Sequence, residues 1–60
     1  MEKLKQLRKK CNLTQDQLAE MSGVSRVTIS KLESGAQKVT TNTTILKIAE
    51  ALKTDPGVLI

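Results

Sequence analysis

The stretch LTQDQLAEMSGVSRVTISKLESG, residues 13–35, decides the fold. It contains two short helical patterns, each with its own start signal, separated only by Met21, Ser22, Gly23 and Val24. Thr14 is followed three residues later by Gln17, which is the Thr-x-x-Gln form of a capping box. Leu13 and Leu18 flank it at the two positions of a hydrophobic staple. The pattern predicts helix 2 from there to about Ser22. Gly23 then supplies the positive φ that a residue just past a helix end commonly needs. The device repeats with Ser25 as the next N-cap and Val24 and Ile29 as a second staple. Thr28 stands where a Glu or Gln would complete the second box. Helix 3 has Ile29 and Leu32 on one edge and Arg26, Val27, Ser30 and Lys31 on the other, with no acid among the outer four. Ser34 and Gly35 end it. Two helices joined this way can cross steeply if the residue at their closest approach is small, and Ala19 meets that condition.

Working outward, residues 2–11 read as helix 1, with Leu4, Leu7 and Cys11 on one apolar stripe. Asn12 ends it, and Lys9 and Lys10 suit the negative end of its dipole. Cys11 reads as a small apolar filler rather than a redox switch. Residues 37–44 are polar and rich in Thr, which predicts a loop, with Thr41 as the N-cap of helix 4. There Ile45, Ile48, Ala49 and Leu52 form an i, i+3, i+4, i+7 apolar set, joined by Leu46. Asp55 and Pro56 read as an N-cap followed by Pro at the first helical position. A last apolar turn, Val58, Leu59 and Ile60, follows. No strand pattern is evident, so residues 1–60 read as a single all-α domain.

Composition removes several classes of function. The chain has 60 residues, near the lower limit for folding without a disulfide or metal. Its 38% apolar content suffices for one small core, and its aromatic content is 0%. RNA readers that stack bases on aromatic rings are thereby excluded. Histidine is absent and Cys11 is alone, so neither a zinc cluster nor an intramolecular disulfide can be assembled. No imidazole is available to activate a nucleophile, which argues against an enzyme. No run approaches the ~20 apolar residues of a membrane span, and no signal-peptide pattern opens the chain. The expected location is the cytosol. The net charge of +4 favours an anionic partner.

The outer edge of helix 3 suits one such partner. Arg26 and Lys31 carry donors for guanine O6/N7 or phosphate, Val27 offers methyl groups to thymine, and Ser30 offers a hydroxyl to either base or phosphate. A B-DNA major groove, ~12 Å wide, admits one helix of this kind. The same residues carry a resemblance. The pattern LTQ-xx-LAE-xx-GVS-xxx-ISKLE-x-G resembles the helix-turn-helix of the phage-repressor and Cro-like family, also called XRE-type. Upstream Leu4, Leu7 and Arg8, and downstream ILKIAEAL (residues 45–52), match the same family, so the likeness covers nearly the whole chain.

That resemblance implies a compact five-helix, lambda-repressor-like DNA-binding domain with the helix-turn-helix at helices 2 and 3. It implies base reading by Arg26, Val27, Lys31 and Ser30. Phosphate or flanking contacts fall to Thr14, Gln15, Ser25, Thr28, Ser34, Gln37 and Lys38, with Thr40 at the margin. Gln15 is further implied to buttress Arg26, and Arg8 and Glu33 to form a structural ion pair. Asp16, Glu20 and Glu50 read as ordinary surface charge. The expected function is a sequence-specific regulator of transcription, a repressor, that reads a pseudo-palindrome in double-stranded DNA as a dimer. The dimer is expected to be weak, or formed on DNA, through the helix 4–5 corner with Val58, Leu59 and Ile60 as apolar candidates, two of which have closing the core over helices 1 and 4 as their alternative role. No cofactor, metal or small-molecule ligand is expected. The alternative is a protein-binding adaptor such as an antitoxin or co-regulator, separable by salt-dependent DNA binding and by the chemistry of what it retains.

Overall fold

The computed structural model describes residues 1–38 and 40–59. Five helices follow in order: α1 (Glu2–Lys10), α2 (Gln15–Ser22), α3 (Arg26–Ser34), α4 (Asn42–Ala51) and α5 (Pro56–Leu59). No strand occurs among the described residues. Helix α2 packs on α3 and α4, α1 on α3 and α5, and α4 on α5. The helix-turn-helix thus sits between α1 and α4.

The helix starts form as their side chains predict. Thr14 Oγ1 accepts from the Gln17 N–H at 3.0 Å, and the Gln17 side chain accepts from the Thr14 N–H at 2.8 Å. Both halves of the capping box are therefore closed. Ser25 Oγ accepts from the Val27 N–H at 3.2 Å, and Thr41 Oγ1 from the Thr44 N–H at 3.2 Å. The four staple residues all reach the core: Leu18, Val24 and Ile29 lie in it, and Leu13 packs against it.

The helix ends use three residue types for one backbone shape. Gly23 has φ 73° and Gly35 φ 84°, while Asn12 and Lys53 hold φ values of 58° and 55°. After α1, the Leu13 N–H reaches the Arg8 carbonyl at 3.1 Å and the Asn12 N–H the Lys9 carbonyl at 3.0 Å. After α4, the Thr54 and Lys53 N–H groups reach the Ala49 and Glu50 carbonyls at 2.9 and 3.1 Å. Both pairs are Schellman closures, which satisfy carbonyls that the helix itself leaves open. Asn tolerates this conformation readily. Lys at residue 53 does not share that ease.

The core is aliphatic. Leu4, Leu18, Ile29, Leu32 and Ile48 are fully buried, with Val24, Ile45, Ala49, Leu52 and Leu59 around them. Two expectations, at Cys11 and Leu46, need correction, and burial decides between the two roles open to Leu59. Cys11 is exposed and fills no core space. The α1 stripe runs off the edge of the core, from buried Leu4 through half-buried Leu7 to Cys11, one residue past the helix end. Leu46 is 54% exposed and does not join the α4 apolar set, whose buried members are Ile45, Ile48 and Ala49. Leu59 is buried, so it closes the core and is not free for a partner, whereas Val58 is exposed. Ile60, the third residue of that apolar turn, lies outside the described residues.

Candidate nucleic-acid interface

Helix α3 is nine residues long, about 13 Å at ~1.5 Å per residue. Its inner edge is fixed by Ile29 and Leu32, both completely buried. Its far end is fixed by an ion pair. Arg8 Nε donates to Glu33 Oε2 at 2.6 Å and Arg8 Nη2 to Glu33 Oε1 at 3.0 Å, a fork-to-fork arrangement. The remaining arm, Nη1, donates to the Leu13 carbonyl at 2.7 Å. One guanidinium therefore ties α1, the start of the helix-turn-helix and the end of α3 together. The side chains are only 11% and 4% exposed, so solvent screens the pair little.

Burial alone would push the Glu33 carboxyl up. Hydrogen bonds from Arg8 and Gln15, with the charges of Arg8 and Lys5, outweigh it and hold the carboxyl below its usual range. The bond to Glu33 likewise raises Arg8, against a smaller lowering by burial. Each partner thus favours the charged form of the other.

The turn between α2 and α3 is built by a residue that periodicity does not single out. Ser22 is buried, and its Oγ accepts from the Val24 N–H at 3.2 Å. Gly23 adds a backbone bond to the Ala19 carbonyl at 2.9 Å. The Ser-Gly-Val order is the available sequence signal, since a Ser hydroxyl commonly bonds the backbone two residues on.

The outer edge brings the four expected base-reading residues together. Arg26, Val27, Ser30 and Lys31 line one open concavity of about 310 Å³. All four are exposed, and Val27 shows 60% of its surface to solvent. At the flanks, Thr14, Ser25, Ser34 and Lys38 are exposed, while Gln15, Thr28, Gln37 and Thr40 are half-buried. Ser34 Oγ donates to the Lys31 carbonyl at 3.2 Å and accepts from the Ala36 N–H at 3.3 Å, so its first role is to shape the end of α3. The Gln37 N–H also bonds the Lys31 carbonyl, at 3.1 Å.

Two details differ from the sequence reading. Gln15 does not buttress Arg26; its Nε2 donates to Glu33 Oε1 at 3.2 Å. Arg26 is instead accompanied by an acid, with its Nε 3.1 Å from Asp16 Oδ1. Asp16 is thus more than unattached surface charge, and the basic edge is not free of acids. Ten residues separate the two, and only the packing of α2 on α3 brings them together.

Residues 4–59 match the family model described as helix-turn-helix. Over 52 residues the chain is 50% identical to the HTH-type transcriptional repressor RghR of Bacillus subtilis (strain 168), covering 87% of this chain and 38% of that protein. Over 34 residues it is 68% identical to the HTH-type transcriptional activator BcrR of Enterococcus faecalis, covering 57% of this chain and 17% of that protein. The chain therefore spans well under half the length of these curated relatives. No solved structure matches it. No helix among the described residues is long and apolar enough to cross a membrane.

Proposed function

The chain belongs to the helix-turn-helix family, and from that membership we propose that it is a sequence-specific double-stranded DNA-binding regulator of transcription. Helix α3 enters the major groove, where Arg26, Val27, Ser30 and Lys31 meet base edges. Thr14, Gln15, Ser25, Thr28, Ser34, Gln37 and Lys38 flank it toward the phosphates, which set register rather than sequence. The observation that carries this reading is the joint exposure of the four outer residues on a helix whose other edge is completely buried.

Repression is the proposed direction, supported by the name of the relative RghR. The protein acts beside DNA in the bacterial cytoplasm, by binding rather than by catalysis. Two copies occupy a pseudo-palindrome with half-sites about one helical turn apart. They meet through the α4–α5 corner, where Val58 is an exposed apolar residue. Sedimentation of the protein alone and with a two-half-site duplex checks that corner: weak self-association that duplex strengthens is expected, and two independent monomers on the duplex would refute it.

Selection of bound sites from a random duplex library tests the central reading. The expected result is one enriched motif, with inverted half-sites spaced by about 10–10.5 base pairs or a multiple. An unenriched library would contradict it.

A further inference from the structure

Asp16 is the one acid in contact with the outer edge of α3 among the described residues, and its place there has a cost. A carboxylate beside a surface that meets a polyanion lowers general affinity, so a compensating gain is required. Its position in the first turn of α2 suits that helix's dipole, but this does not account for the side chain reaching Arg26. In the free protein the ion pair contributes little, because the two side chains are 62% and 76% exposed. The gain must therefore lie in a state from which water is removed.

The atoms in contact indicate what the gain is. Asp16 Oδ1 faces Nε of Arg26, and no described residue is bonded to the terminal Nη1 and Nη2. Those two nitrogens form the fork that bonds guanine O6 and N7 together. A carboxylate beside Nε draws that side of the guanidinium toward α2 by charge, and the edge left free is the one that reads guanine. Gln15 Nε2 turns instead to Glu33, and no described contact joins Gln15 to Arg26.

We propose that Asp16 is a positioning residue that orients Arg26 for end-on recognition of guanine, trading general DNA affinity for preference at one base pair. This rests on the DNA-binding reading above. In the groove the pair is shielded from solvent, and the carboxylate also disfavours Arg26 turning away to a phosphate. Lys31 has no acidic partner among the described residues, so its base preference is independent of Asp16.

Equilibrium titrations of the wild-type chain, Asp16→Ala, Asp16→Asn, Arg26→Ala and the Asp16→Ala/Arg26→Ala double variant test this. The probes are the duplex selected from the random library, versions permuted at each base pair, and an unrelated duplex. Arg26→Ala identifies the position it reads, by flattening guanine preference there. Asp16→Ala is expected to lower that same preference about 3- to 10-fold, a fraction of a full bidentate contact, while binding the unrelated duplex as well or better. Asp16→Asn, which keeps an acceptor oxygen, should fall between. In the Arg26→Ala background, loss of Asp16 should leave preference at that position unchanged.

Uniformly tighter binding by Asp16→Ala, with guanine preference intact, would overturn the proposal and leave Asp16 as a simple repeller of phosphate. So would an Asp16→Ala effect on preference that persists without Arg26. Failure of the wild-type chain to prefer any duplex overturns the DNA-reading function itself, an outcome distinct from an intact wild-type preference that Asp16→Ala does not change.

Discussion

Two arginine–carboxylate pairs hold opposite ends of the same helix, and they do different things. Arg8–Glu33 joins at 2.6 Å with both side chains nearly buried; Arg26–Asp16 lies at 3.1 Å with both largely in water. The first is a bidentate hydrogen-bonded clamp extended to the Leu13 carbonyl and to Gln15. The second is a single contact that leaves the guanidinium fork open. The residue types are the same, and burial decides their roles. A buried pair must stay matched, because a lone charge left there is costly, whereas an exposed pair can exchange partners with little loss. The fold therefore uses the first as scaffold and leaves the second available for reading.

Breaking the scaffold pair should have the largest effect. Arg8→Ala leaves the Glu33 carboxylate almost buried with Gln15 as its remaining hydrogen-bond donor, and should cost about 2–4 kcal/mol in urea unfolding. A 60-residue core seldom supplies more than ~3–5 kcal/mol, so much of this variant should be unfolded at room temperature. Acid should act on the same pair. The folded-state pKa of Glu33 is depressed, so its contribution is present above the unfolded-state value of ~4.3 and disappears as pH falls through the folded one. Thermal melts of the wild-type chain should therefore drop below about pH 4, and Glu33→Gln should flatten that limb while lowering stability at neutral pH.

The turn between the scaffold and the reading helix comes next. A Cβ at Gly23 meets nothing within 4 Å, so Gly23→Ala bears only the backbone cost of a positive φ, about 1–2 kcal/mol. Lys53 has the same conformation without glycine's freedom. Lys53→Gly should raise the unfolding free energy by about 0.5–1 kcal/mol and leave DNA binding nearly unchanged. Smallest of all, Asp16→Ala should move stability by less than about 0.5 kcal/mol, in contrast to Arg8→Ala. A large destabilisation by Asp16→Ala would erase the distinction between the two pairs.

What could be read in the sequence follows the reach of each signal. Caps and staples act within five residues, so Thr14–Gln17, Ser25, Thr41 and Gly23 were legible one by one. The Arg8–Glu33 pair was legible only through family resemblance, since no periodicity links positions 25 apart. Periodicity gives the direction of an apolar stripe and not its width or length, so it extends to Cys11 and Leu46 a core that ends before reaching them. The Asp16–Arg26 contact and the diversion of Gln15 to Glu33 depend on how α2 lies across α3. Lys53 hid its positive φ because lysine ordinarily avoids it.

The most direct test of the division between scaffold and reader is anisotropy titration of Arg26→Ala against the selected duplex and its single-base-pair permutations. Loss of about 1–3 kcal/mol on the selected duplex alone, with all permutations at one position converging, is the expected result. Equal loss on every duplex would contradict it, and would place Arg26 on a phosphate instead of a base.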